Sequence, residues 1–221
     1  MIPDLVVQYQ EEIIQAILDT CYMVGASILS AIIIGIPLGT ILYICRKGQI
    51  AENLFLYHGV NLFVNIVRSI PFLLLVVVLI PFTRLIVGTA IGTTAAVVPL
   101  AIIAMAHYAR LVEQALLEVP RGVVEAAQSL GANLFHILTK FAFVEARSGL
   151  VLGLTTSTIS FISYSTVMGI VGGGGIGDFA IRYGYQQFQT ELMLYVLIMM
   201  VIAVAILQYV GTAIAKKIDK R

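Results

Sequence analysis

Apolar residues in this chain come in long runs separated by short clusters of charge. Five stretches contain no Asp, Glu, Lys or Arg: Thr20 to Cys45, Ser69 to Thr83, Leu85 to Ala109, Ser148 to Gly177 and Leu192 to Ala215. A helix needs about 20 apolar residues to cross a hydrocarbon core of roughly 30 Å, and four of the five stretches reach that length unaided. The second does not. A full crossing there extends back through Arg68 into Leu56 to Val67, which carries that arginine into or near the membrane. The pattern predicts an all-α integral membrane protein of about five transmembrane helices.

Composition agrees with the runs. Of 221 residues 60% are hydrophobic and 11% charged, with a mean hydropathy of +1.00, more apolar material than a soluble domain of this size buries. The formal net charge of +1 hides an uneven distribution. Before the first run stand four acids, Asp4, Glu11, Glu12 and Asp19, and no Lys or Arg, a poor start for a signal peptide. With the N-terminus outside, Arg46, Lys47, Arg110, Arg121, Lys140, Arg147, Lys216, Lys217, Lys220 and Arg221 fall inside. Only Arg84 and Arg182 fall outside, and Arg68 is unassigned. The positive-inside asymmetry therefore predicts an outer N-terminus, an odd number of spans and a cytoplasmic C-terminus.

Local signals refine the spans. Residues 1–19 form either a short amphipathic helix on the outer interface, with Val6, Val7, Ile13, Ile14 and Ile17 on one side, or the start of a longer first helix. Pro37, Pro71 and Pro99 predict kinks in the first three spans. The fourth span places nine hydroxyls within twelve residues, Thr155 to Thr166, which either line a path or pack tightly against other helices. The glycine run from Gly169 to Asp178 ends that helix in an outer loop or broken segment. No internal repeat or soluble linker is visible, so residues 1–221 read as one domain.

Chemistry is sparse. The glycine run lacks the lysine and hydroxyl that would complete a phosphate loop, and no nucleophile and base stand in a catalytic spacing. No catalytic residue, cofactor or nucleic-acid partner is expected. His58, His107 and His136 lack metal-ligand spacing, and Cys21 and Cys45 at opposite ends of a helix, about 36 Å apart, are too distant for a disulfide. Arg68 marks either the cytoplasmic edge of a tilted helix or a gate or pathway position.

The longest inside segment, residues 110–147, is the most specific feature. Pro120 suits the first turn of a short helix continuing over Arg121 to Leu130, with Gly131 as a left-handed stop. Within it Glu125, Ala126 and Ala127, three further residues, Gly131, and nine more to Phe141 resemble the EAA loop of the permease subunits of binding-protein-dependent ABC importers. That family's pattern continues to Leu-Pro, whereas here Phe141, Ala142, Phe143 and Val144 follow with no proline, leaving the return into the fourth span open. Further segments, NIVRSIPF at 65–72, IPFTRLIVGTAIG at 80–92, ARLVEQALLEVP at 109–120 and YGY at 183–185, resemble permeases of methionine importers.

The resemblance implies a multi-pass permease of the bacterial cytoplasmic membrane that moves an amino acid, with methionine leading, by alternating access. It implies a cytoplasmic coupling helix in which Glu125, Ala126, Ala127 and Gly131 dock on an ATPase subunit. Implied partners are a second copy of the chain, two ATP-binding cassette subunits that bind ATP and Mg, an extracytoplasmic binding protein and lipid. Tyr164, Ser165 and Met168, with Arg68, are the expected pathway residues. A permease for another small solute is the runner-up. A secondary transporter would be expected to show intramembrane acids or inverted repeats, and a membrane hydrolase a paired nucleophile and base.

Overall fold

A computed structural model describes residues 7–219; Asp4, Val6, Lys220 and Arg221, counted above, lie outside the described residues. Its α-helices are α1 Gln10–Cys45, α2 Leu54–Ser69, α3 Phe72–Val78, α4 Ile80–Val87, α5 Thr93–Leu117, α6 Arg121–Ser129, α7 Leu134–Ile170, α8 Gly175–Phe179 and α9 Thr190–Ile218. Each of α1, α5, α7 and α9 is long and apolar enough to cross a membrane, and α2 and α3, bent by 107° at their junction, make a fifth span if the pair is counted as one.

The first helix is the extended version of the two expected. Ile13, Ala16, Thr20, Met23, Val24 and Ser27 are buried at helical spacing, so the acid-rich start is simply the first turns of α1. Further along, residues Ala31–Gly35 widen into a π-turn just ahead of Pro37. A proline ring displaces the carbonyl four residues earlier, here that of Ile33, and the wider turn accommodates it without breaking the helix.

Pro71 does more than kink its helix. Ile70 and Pro71 both adopt extended backbone, ψ 126° and 133°, and the chain turns sharply between α2 and α3. The residue before a proline disfavours the helical region, and no neighbouring turn restores the ladder. The continuous second span expected from the sequence is thus two separate helices.

Two other expected boundaries move. The third span begins at Thr93, not Leu85, because Gly88 at φ 83° ends α4 and Gly92 at φ 102° precedes α5. It runs on to Leu117, so Arg110 and Glu113 lie inside the helix. The fourth begins at Leu134 and stops at Ile170 instead of spanning 148–177. Consequently the inside loop shrinks from 110–147 to the residues between Leu117 and Leu134. Without the family proline, α7 passes straight through Val144, its only irregularity being a π-turn at Ile137–Ala142.

α5 forms the centre. Gly35 and Gly39 of α1, in a small-xxx-small spacing, lie against the backbone of Met105 and Ala109, and α1 and α5 run parallel. α7 runs the other way: Gly149 meets Ala115, Gly153 meets Leu111, and the Tyr108 hydroxyl donates to the Leu150 carbonyl at 3.0 Å. α9 returns along α7, with Gly211 against Thr155 and the Ser148 hydroxyl donating to the Ala215 carbonyl. After Ile170 the glycine run folds back, and α8 packs on the end of α7 with Gly177 against the Thr166 backbone. Tyr9, Phe179 and Tyr183 close this end through ring contacts, while α6 lies at the opposite end.

Candidate functional site

Outside the long helices, α6 is the best-formed segment. Pro120, which has no N–H to leave unpaired, precedes it in extended conformation. At its other end Gly131 takes φ 75°, Gly131 N–H donates to the Gln128 carbonyl at 2.9 Å, and Ala132 N–H reaches the Ala127 carbonyl at 3.1 Å. This paired closure satisfies the last carbonyls and fixes where the helix stops. The short helix and its glycine cap stand where the sequence placed them.

Its two faces differ. Val124 and Ala127 are buried and join Leu116, Val119, Ile137 and Ala142 in the main apolar cluster, which seats α6 against α5 and α7. Arg121, Glu125, Ala126, Gln128 and Ser129 are exposed. Of the two alanines in the expected coupling set, Ala126 is therefore open to a partner, while Ala127 is fully buried and lets α6 lie close to the body. Leu130 and Phe135 beside it are 80% and 70% exposed, large apolar side chains next to the polar face of α6. A cavity of about 350 Å³ opens next to this face, lined by Tyr43, Gln49, Ile50, Arg121, Glu125 and Gln128.

Behind α6 an ion-pair network holds together the helix ends on that side of the molecule. Glu113, only 2% exposed, accepts from Arg110 Nη1 at 2.5 Å and lies 3.8 Å from Arg46 Nη1. Arg110 Nη2 also donates to Asn61 Oδ1 and Asn65 Oδ1, each at 2.7 Å. Glu113 thus ties α5 to the end of α1 through Arg46, and Arg110 ties α5 to α2. From sequence Arg46 and Arg110 count toward the inside positives and bound two of the uncharged runs; the Arg110 to Glu113 spacing of three residues is the signal for their pairing.

The expected pathway residues separate into two groups. Ser165 and Met168 are buried within the chain, Ser165 donating to the Ile162 carbonyl and Met168 packed with Met23, Ala96 and Leu100. Arg68 is exposed and Tyr164 half-buried, its ring stacked on Phe72 at 4.7 Å. The hydroxyls of α7 divide likewise. Thr155, Ser157, Thr158 and Ser165 are buried, whereas Thr156 and Ser163 are the exposed positions of α7 between Leu152 and Ile170. The buried hydroxyls serve helix packing, one of the two expected uses. Among the described residues no group of His, Cys, Asp and Glu is placed to hold a metal ion.

A family model for the binding-protein-dependent transport system inner membrane component matches residues 35–221. The chain belongs to that family. It is an inner-membrane transport component, and the family is one of permease subunits, not enzymes. The chain is 46% identical to a probable D-methionine transport system permease protein of Vibrio cholerae over 92% of this chain and 90% of the relative. A Pasteurella multocida protein of the same description is 42% identical over 92% and 94%. In three dimensions it is similar to a chain of the MetNI methionine ABC transporter in inward-facing conformations, with TM-score 0.93, 41% identity, and coverage of 96% and 99%. A chain of an amino acid ABC transporter, 16% identical with TM-score 0.79, shares the fold.

Proposed function

We propose that this chain is the membrane-spanning subunit of an ATP-driven methionine importer, two copies of it framing the path and α6 docking on an ATPase subunit. The exposed face of α6 carries the proposal, because it is rigidly seated from behind by Val124 and Ala127 and open in front through Glu125, Ala126 and Gln128. A helix held in this way transmits displacement instead of absorbing it. The substrate follows the D-methionine permeases at 46% and 42% identity.

On this reading the end bearing α6 is cytoplasmic, the end bearing Tyr9 and α8 is outside, and an extracytoplasmic binding protein delivers the amino acid there. ATP and Mg are bound by the partner ATPase pair. Its closure moves both copies of α6, and the spans alternate between inward-open and outward-open arrangements. Glu125, Ala126 and Gly131 shape the docked surface, and Ala127 seats it.

The test is uptake of radiolabelled D- and L-methionine by proteoliposomes holding the chain with its ATPase and binding protein. ATP-dependent accumulation is expected. An intact, ATP-hydrolysing complex that accumulates neither form refutes methionine, and uptake by this chain alone refutes the ATP-driven mechanism.

A further inference from the structure

Arg68 stands at an unusual place. Its neighbour Val67 packs with Ile103 and Ala106, which puts Arg68 level with the middle of α5. His107, Arg110 and Tyr164 are the titratable groups around it. Among the described residues Arg68 makes no hydrogen bond or ion pair, and Glu113 of α5 is paired with Arg110 and Arg46. An unpaired guanidinium facing lipid at that depth costs several kcal/mol. A chain that keeps one there presents it to water or to an anion.

Two further observations say what kind of ligand fits. The neighbouring face is polar: Thr156, Ser160 and Tyr164 recur every four residues along α7, in one row. α2 also ends one residue after Arg68, and Pro71 offers no N–H to the carbonyls of that last turn. A cation donor and free carbonyl acceptors therefore sit within one helical turn of each other. That pairing complements a zwitterion, as broken membrane helices do when their ends meet charged groups.

We propose that Arg68 and the carbonyl end of α2 form the subsite for the backbone of an α-amino acid in the path, Arg68 taking the carboxylate and the carbonyls the ammonium group. This rests on the importer reading and adds the groups that recognise the substrate class, with Tyr164 and Phe72 forming the adjoining wall.

The test compares complexes of the same subunit composition carrying the wild-type chain or Arg68→Gln. Initial rates of ATP-driven uptake are measured for methionine and for methioninamide, which keeps the amine and lacks the carboxylate. The same binding protein serves all four measurements, so its own selectivity cancels in the cycle. Arg68→Gln is expected to slow methionine about tenfold or more, the scale of a lost hydrogen bond to a charged group, and methioninamide by less than about twofold. Equal slowing of both substrates, as for an arginine that anchors lipid or holds the fold, overturns the proposal, as does no slowing of either.

If the wild type carries no methioninamide, a diazirine-bearing methionine analogue replaces it. Light-induced labelling of residues 68–72 or 160–168 that is lost in Arg68→Gln supports the subsite. Labelling elsewhere, or labelling indifferent to the substitution, refutes it. Failure of the wild-type complex to move methionine at all defeats the importer reading itself, an outcome distinct from either.

Discussion

Glu113→Ala tests whether the ion-pair network behind α6 is structural. The carboxylate is 2% exposed and Arg110 15% exposed, so removal strands a largely buried guanidinium whose other partners, Asn61 and Asn65, are uncharged. Arg46, 46% exposed, turns to solvent at little cost. Breaking a buried pair from one side destabilises by about 3–5 kcal/mol. For a chain of this size each kcal/mol lowers Tm by about 2–4 °C, so the expected loss is about 6–20 °C. The assay is thermal unfolding of the purified complex, followed by loss of the monodisperse gel-filtration peak. Arg110→Met combined with Glu113→Leu, which removes both charges, is expected to recover at least half of that loss, since apolar replacement of a whole pair is often neutral. A Glu113→Ala complex within about 1 °C of wild type, or a double variant as unstable as the sum of its singles, refutes the reasoning.

Other expectations follow from the same geometry. Gly177→Val places a Cβ within 2.8 Å of the Thr166 carbonyl carbon; backbone cannot yield there as a side chain would, so α8 is expected to detach and the purified yield to fall severalfold by gel filtration. Glu125→Lys reverses charge on the open face of α6, and Gly131→Val adds about 1–2 kcal/mol of left-handed strain at its cap; copurified ATPase subunit is expected to drop while membrane insertion stays normal, and full copurification with full transport refutes the docking assignment. For orientation, with Cys21 and Cys45 replaced by Ala, Glu12→Cys is expected to react with an impermeant maleimide in intact cells. Ser129→Cys is expected to react only after permeabilisation, and the reverse pattern overturns the topology.

Helices that begin and end at charges were legible from the sequence: Leu192 to Ala215 lies within the observed Thr190–Ile218. The method failed where absence of charge and presence of helix part company. Residues 85–92 carry no charge, yet Gly88 and Gly92 at positive φ place a turn there. It failed again where charges neutralise one another, since Arg110 ends an uncharged run in the sequence but sits paired with Glu113 inside α5. α6 was legible because proline and glycine act locally, through a fixed φ and a left-handed cap. The sidedness of Ser165 and Met168 was not, because hydroxyls occupy most positions from Thr155 to Thr166, on buried and exposed sides alike.

The distribution of regular and irregular backbone bears on where such a chain yields. Val124 and Ala127 join Val119, Leu116, Ile137 and Ala142 without intervening polar groups, and the Glu113 network ties the same end to α1 and α2. Force applied at α6 thus reaches α5 and α7 together, and close-packed interiors pass strain on instead of absorbing it. α5 remains helical from Thr93 to Leu117. The π-turn at Ile137–Ala142 is packed against α6 in that apolar cluster, whereas the π-turn at Ala31–Gly35 and the 107° break at Ile70 and Pro71 lie farther from α6. Under the importer mechanism the inner end would therefore move as a unit while compliance concentrates around the α2 to α3 break. That break adjoins Arg68, so the point of greatest compliance and the proposed amino-acid subsite coincide.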